Sequence, residues 1–425
     1  MKDFRSIALV SRLESNIMPK SSRAILWCPE ANSAFLNQDN NGPFLDLEGT
    51  QKPQTSNCQA VWKRDLYAID LPFQMDSQAE RIHRESATRE EGKSDLKMTS
   101  AQRKRKKKEL RRKNLPQDEA ETVALINRTL KTVIEQARKL GLVREATFAP
   151  EVMDNNERAR VAANAPGCGN LFHEAVEEER TPGPSHHLTL VLNSELIPAL
   201  SVWDVVDRPV RNASDQTVVT EIEGHKFAIP PRSAFLTSSF RQFVTHGYSQ
   251  LTVQKGFDLV VIDPPWKNKS VKRKKSYHTL TETDLMAIPM SRLCGPRAVV
   301  CVWVTNNARL VDFVKEQLLP AWSVKYLATW LWFKVTRSGE PICDLYSQHK
   351  KPYEQIIIGR FEKKLEIDPC SFICINELLK TNSFIPPPLP DALQPFLPAK
   401  PRCLELFARN LNPDWTSWGN EVSLH

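Results

Sequence analysis

The chain has 425 residues, 41% hydrophobic and 8% aromatic, which is enough apolar material for roughly two or three packed units and excludes a disordered protein. Lys and Arg number 58 against 50 Asp and Glu, a formal net charge of +8 that matters only where the basic residues cluster. Nine cysteines, an odd number without a C-x-x-C spacing, argue for reduced thiols rather than a secreted disulfide framework. No apolar run approaches membrane-spanning length, and the stretch 7–10 is too short for a signal segment, so the expectation is a soluble intracellular protein with no membrane partner.

In chain order, short apolar runs at 24–27, 60–62 and 66–71 have strand-like spacing and predict a small β-rich unit over residues 1–100. The charged stretch 77–98 reads as a linker or exposed helix. Residues 101–190 then carry a basic run, a helix and a linker. The run 103–113, nine Arg and Lys side chains interrupted by Glu109 and Leu110, suits a nuclear localisation signal, a phosphate-contacting arm or a solvated helix face. Pro116 opens a helix whose apolar stripe is Ile126, Leu130, Val133, Ala137 and Leu140, closed by Gly141. Segments 187–200 and 202–206 read as strands or buried stretches leading into a third unit, 191–425.

The chemistry sits in that unit. Phe257 to Ile262 is apolar except for Asp258, the length of a buried parallel strand, and ends in Asp263-Pro264-Pro265-Trp266. Ligands of α/β sheets bind at the carboxyl ends of such strands. An exocyclic adenine amine is a poor nucleophile because its lone pair is delocalised, so an enzyme must accept hydrogen bonds from its N–H groups during methyl transfer. Asp263 supplies one acceptor and the Pro264 carbonyl a second, while the two prolines stiffen the loop and remove its N–H donors. Trp266 offers a face for a base taken out of its stack. The plainer alternative is a Pro-Pro turn with a packed Trp.

Asp263-Pro264-Pro265-Trp266 resembles the catalytic signature of the MT-A70 family of N6-adenine methyltransferases. Further blocks follow in the same order. Tyr277 lies in a segment like the family's first substrate loop. Cys301 to Asn306 with Trp303, Trp330 to Lys334 with Trp332, and His349 to Glu354 resemble its successive strands, and Glu405 to Asn410 and Trp415 to Glu421 its cofactor segment. The resemblance covers roughly residues 190 to 425, and one branch with a long N-terminal extension nearly reproduces the last of these blocks. It implies an α/β fold: a permuted Rossmann-like methyltransferase domain at the C-terminus, preceded by a mixed, β-containing extension. The absence of an early G-x-G-x-x-G agrees with such a permutation.

What the resemblance implies about function is specific. S-adenosyl-L-methionine is the expected cofactor, bound by Asp263, Phe407, Arg409, Asn410, Asn420 and Glu421, with Asp263, Pro264, Pro265 and Trp266 catalytic. Tyr277, Trp303, Trp332 and Lys334 fall on the substrate side. So does a second basic run, Lys267, Lys272, Arg273, Lys274 and Lys275, placed to follow a nucleic-acid backbone beside the site. The expected substrate is RNA, in particular 2'-O-methyladenosine of a small nuclear RNA, with DNA adenine as the runner-up; the expected location is the nucleus, with the cytoplasm as a second. No metal is needed. One departure stands out: Ser383-Phe384-Ile385-Pro386-Pro387 occupies the place of a Ser-His-Lys-Pro-Pro segment. The missing lysine would cost about 1.5–3 kcal/mol of cofactor binding unless Lys380 substitutes, and it keeps open a catalytically silent member that binds nucleic acid. Methylation of a protein amide is a third, weaker reading.

Overall fold

The computed structural model describes residues 10–12, 22–28, 31–37 and 117–139, single positions between 172 and 178, and the body from 188 to 420 without 193–198, 252–254, 267–279, 337, 348–350, 362–370, 377–388 and 394–395. The runs at 60–62 and 66–71, the basic runs at 103–113 and 267–275, and Leu140 and Gly141 lie outside these residues.

Sixteen strands can be traced among the described residues, beginning with β1 (Val10–Arg12), β2 (Ser22–Cys28) and β3 (Ala31–Asn37). Helix α1 (Gln117–Lys139) follows, then β4 (Leu190–Leu192), β5 (Ala199–Leu200), β6 (Val210–Asn212), β7 (Val218–Ile222), β8 (His225–Ile229) and β9 (Ala234–Thr237). The long strands come next: β10 (Phe257–Ile262), β11 (Cys294–Val304), β12 (Val324–Lys334), β13 (Tyr353–Phe361), β14 (Ser371–Asn376), β15 (Cys403–Leu406) and β16 (Trp415–Gly419). Thirteen of them form one sheet in the order β3-β2-β14-β12-β13-β11-β10-β15-β16-β9-β6-β4, with β1 added against β12; β5, β7 and β8 form a small second sheet. Residues 202–204 are a helical turn rather than strand, because Asp204 accepts from both the backbone N–H and the hydroxyl of Ser201 at 2.8 Å and stabilises the turn's start.

The centre of the sheet is a Rossmann-like α/β arrangement. Strands β9, β16, β15, β10 and β11 are parallel neighbours, and β13 is the antiparallel strand between β11 and β12. From β10 the chain proceeds to β11 on one side, and from β15 to β16 on the other. The crevice at the carboxyl ends of β10 and β15 is therefore a topological switch point. Residues 144 positions apart in sequence meet there because Ile262 and Leu406 are register partners.

The alternation of β10 builds both cores. Leu259 and Val261 enter one cluster with Cys301, Trp303, Trp330 and Trp332; Val260 and Ile262 enter the other with Val300, Val302, Leu404, Leu406 and Trp418. Helix α1 closes the first cluster with Val123, Ile126, Leu130, Val133 and Ile134. Each such burial contributes about 1.5–3 kcal/mol before ordering costs. Lys351 of the loop before β13 pairs with Glu119 of α1. Gly339, at φ 82°, lets the loop after β12 lie against Ile134, whose Cδ1 is 2.7 Å from where a Cβ would stand. Residues on β4 to β8 pack as a third cluster around Val206, Ile222, Phe227 and Ile229.

Candidate active site

Asp263 is delivered to the crevice by β10, whose side chains are locked in the two cores. Its backbone N–H reaches the Leu406 carbonyl at 3.4 Å, tying the loop to the end of β15. Pro264 is buried and Pro265 half-buried. The Pro264 carbonyl accepts the Trp266 N–H at 2.8 Å, so one of its two lone pairs is used inside the loop and one remains for a ligand.

Trp266 departs from expectation. It is 8% exposed, belongs to the second core, and donates its indole N–H to the Trp303 carbonyl at 2.8 Å. An indole held by packing and a buried hydrogen bond anchors the loop instead of presenting an open stacking face. Trp303 and Trp332 are also inside: they are 6% and 1% exposed and meet edge to face at 5.1 Å between centroids. Their strands alternate faces, and both positions fall on the face of the first core.

Lys334 closes β12, and its ammonium lies 4.3 Å from the centre of the Trp332 ring and 2.6 Å from Glu354 Oε1. Its side chain is 4% exposed, and burial lowers its pKa against the opposing pull of Glu354 and Asp263. On the rim beside it, the Asn306 amide donates to the Tyr353 carbonyl. Across the crevice, Arg409 Nη2 stands 3.9 Å from Asp263 Oδ2, with both side chains about a third exposed at 37% and 35%.

Burial pushes the Asp263 carboxyl up to about 6; Arg409 opposes the rise, Glu354 adds to it, and Lys334 opposes it. Glu405, on β15, is pushed up to about 8, first by burial and then by Asp263, against Arg409 and the Asn412 amide, which donates to it at 3.3 Å. Two carboxyls with separated pKa values thus flank one guanidinium.

Phe407 turns the chain out of β15 with φ 63°, a left-handed conformation that costs a non-glycine residue about 1 kcal/mol or more. The turn is held by Phe240, stacked 6.2 Å away, by Trp418 at 4.9 Å, and by the Ala408 N–H on the Trp418 carbonyl at 2.8 Å. It brings Arg409 to Asp263, Asn410 follows in the chain, and Asn420 stands just past the end of the neighbouring β16. Glu421, Lys267, Lys272, Arg273, Lys274, Lys275, Tyr277, Lys380 and the segment 383–387 lie outside the described residues.

Sequence reasoning missed Glu405 and assigned no role to Glu354. The signal for Glu405 was an acid at an alternate position of an otherwise apolar strand, on the side away from Leu404 and Leu406. Among the described residues no helix is long and apolar enough to cross a membrane, and no three potential metal ligands cluster.

Comparison with known proteins adds the following. The MT-A70 family model matches residues 257–421. The human N(6)-adenine-specific methyltransferase METTL4 is 40% identical over 247 residues, 56% of this chain and 51% of the human protein. The N6-methyladenosine RNA methyltransferase MTA1 of Pyricularia oryzae is 31% identical over 267 residues, 58% of this chain and 69% of its own. The DNA N6-methyl methyltransferase of Caenorhabditis elegans is 28% identical over 398 residues, 91% of this chain and 96% of its own. The matched region spans about half the length of the human and mouse METTL4 proteins, at 51% and 48%.

Proposed function

Because the chain belongs to the MT-A70 family, we propose that it transfers a methyl group from S-adenosyl-L-methionine to the exocyclic N6 amine of adenine in a nucleic acid. The observation that carries this reading is Asp263: a carboxyl with a pKa near 6, held at the switch point between β10 and β15 by a loop of two prolines.

The residues around the crevice fit the cofactor. A methionine moiety carries an ammonium and a carboxylate, and a ribose carries two hydroxyls. Asp263 is an acceptor for cations and hydroxyls and Glu405 for hydroxyls, while Arg409, Asn410 and Asn420 are donors for carboxylate and hydroxyl oxygens. When bound, S-adenosyl-L-methionine supplies an electrophilic methyl group. Ionised Asp263 accepts one N–H of the amine and the free lone pair of the Pro264 carbonyl accepts the other, drawing the nitrogen lone pair out of conjugation. Arg409 and then Lys334 favour the ionised form of Asp263, and Glu354 keeps Lys334 in place. After transfer the surplus proton of the amine passes to Asp263, whose pKa lets it return the proton to water.

For the substrate we favour RNA, a 2'-O-methyladenosine of a small nuclear RNA, and place the protein in the nucleus on the strength of its basic run at 103–113. Relatives named for RNA and for DNA methylation both match, so DNA adenine is the second candidate. The test is methyl transfer to matched RNA and DNA oligonucleotides by the wild type and Asp263→Ala. Equal activity in the two proteins removes the role given to Asp263. A silent nucleic-acid-binding protein is favoured by one observation, Phe384-Ile385 in place of His-Lys. Absence of S-adenosyl-L-methionine binding in calorimetry would establish it.

A further inference from the structure

The connection that carries Arg409 and Asn410 is short for the strands it joins. β15 ends at Leu406 and β16, parallel to it, begins at Trp415, which leaves residues 407–414 to link them. Such a crossover ordinarily takes about a dozen residues or more, usually with a helix; this one contains no helix. Trp415 is level with Cys403 and Trp418 with Leu406, so the chain also runs back along the sheet by about 10 Å. Between its ends, Leu411 is buried in the third cluster and the Asn412 amide donates to Glu405. A connection with so little slack passes a shift at one end to the other.

Both ends are left-handed at residues other than glycine, with φ 63° at Phe407 and 65° at Asp414. Such conformations persist only where the surroundings impose them. At Phe407 the surroundings are the rings of Phe240 and Trp418. At Asp414 they are ionic. Its N–H donates to the Pro231 carbonyl at 3.2 Å, and its carboxylate accepts from both Nε and Nη2 of Arg232, at 2.5 and 2.9 Å. Arg232 stands between β8 and β9 and is itself left-handed at φ 51°. It donates its own N–H to the Ser214 carbonyl at 3.0 Å and Nη1 to Asp215 at 2.7 Å. One guanidinium thus joins the turns before β7, before β9 and before β16. The side chains of Arg232, Asp414 and Asp215 are all exposed, and exposed ion pairs add little to global stability. Local order is what this one supplies, because two parallel hydrogen bonds fix the angle of Asp414 as well as its distance.

We propose that Arg232 is a positioning residue: by holding Asp414 it keeps the 407–414 connection in the arrangement that sets Arg409 against Asp263, and so raises the affinity of the crevice for the methyl-donor cofactor. The cofactor rests on the methyltransferase reading above; the anchoring of the connection does not. Without the clasp the competent arrangement is one of several, and apparent affinity falls with the fraction of chains that hold it. At saturation every chain is competent, so the loss belongs in KM for the cofactor and not in kcat.

The experiment uses the full chain as wild type, Arg232→Met, Arg232→Lys, Asp414→Asn and the double variant Arg232→Met/Asp414→Asn. Its first arm is hydrogen–deuterium exchange read on peptides without cofactor. Arg232→Met should speed exchange within 407–415 about fivefold, the upper end for an exposed pair of bidentate geometry, and leave β10 and β15 as in the wild type. Asn accepts a left-handed backbone as Asp does, so Asp414→Asn should match Arg232→Met, and the double variant should add nothing further. Lysine keeps the charge but not the fork, so Arg232→Lys should recover part of the loss. Unchanged exchange at 407–415 overturns the anchoring. An equal rise in every peptide with a lower Tm assigns the pair to general stability and overturns it as well.

The second arm is calorimetry with S-adenosyl-L-methionine, followed by initial rates of methyl transfer. In Arg232→Met the Kd and KM for the cofactor should rise about fivefold with kcat held. Faster exchange with an unchanged Kd overturns the positioning role, and so does a fall in kcat at constant KM. A wild type that binds no cofactor removes the methyltransferase reading and the cofactor half of the proposal together, while the exchange arm decides the anchoring by itself.

Discussion

At the carboxyl end of the strands, Lys334 is almost wholly buried but has Glu354 at 2.6 Å, an aromatic face at 4.3 Å and Asp263 nearby. At the opposite end Arg360 is buried to a similar degree and meets two carbonyl oxygens at 3.4 Å. The first arrangement is complete within the chain and spends its charges on tuning one another. The second leaves one donor, Nε, buried without a hydrogen-bond partner. Burial alone does not say how a charge is held; the inventory of its partners does.

The contrast can be broken first at Asp263. Asp263→Asn keeps the shape but not the charge and should lower kcat/KM for methyl transfer about 1,000-fold; a loss under about tenfold would sink the role. Next is Lys334→Met. Removing one partner of a buried pair, discounted for a Glu354 that is 31% exposed, should cost about 2 kcal/mol in denaturant unfolding. It should also change the pH profile. Asp263 works ionised, so wild-type activity should rise through about pH 6 and then level off. Without the Lys334 ammonium the rising limb should move to higher pH, and an unmoved limb means the lysine does not reach Asp263.

Glu405 sharpens the same point. Its folded pKa of about 8 lies above its unfolded value, so the neutral form is favoured by folding. That contribution is complete below the unfolded pKa and is lost as pH rises through about 8. Glu405→Gln should therefore show a flatter dependence of stability on pH between about 4.5 and 8, with a gain over the wild type of about 2 kcal/mol at the upper end. Identical curves would show that Glu405 is not buried as described. The smallest effect is expected at Gly339→Ala, about 1–2 kcal/mol, from a positive φ and a methyl pressed on Ile134.

Much of this was legible in the order of residues. The apolar run 257–262 is β10 to the residue, and the helix placed after Pro116 starts at Gln117 with Ile126, Leu130 and Val133 inward. The meeting of Asp263 with Arg409 was legible only through family resemblance, because strand order, not local pattern, brings residues so far apart in sequence together. The burial of the tryptophans was not legible for a physical reason: motif and resemblance place Trp266, Trp303 and Trp332 near the chemistry, but which face each takes depends on register. The orphaned Arg360 was invisible, since a lone arginine at a strand end reads as solvated. The left-handed turn at Phe407 carries no glycine to announce it.

The docking of α1 and β9 sets a boundary different from the one that homology draws. A fragment trimmed to 257–421 would keep Asp263, Lys334, Glu354, Glu405 and Arg409, yet it would lose the strand that pairs with β16, the Phe243 ring stacked 4.1 Å from Trp418, and the helix covering Trp330 and Trp332. Such a fragment would carry the catalytic inventory on a surface with two raw apolar faces, and expression trials should find it in aggregates. For this chain the shortest piece that can do the chemistry is shorter than the shortest piece that can stay folded.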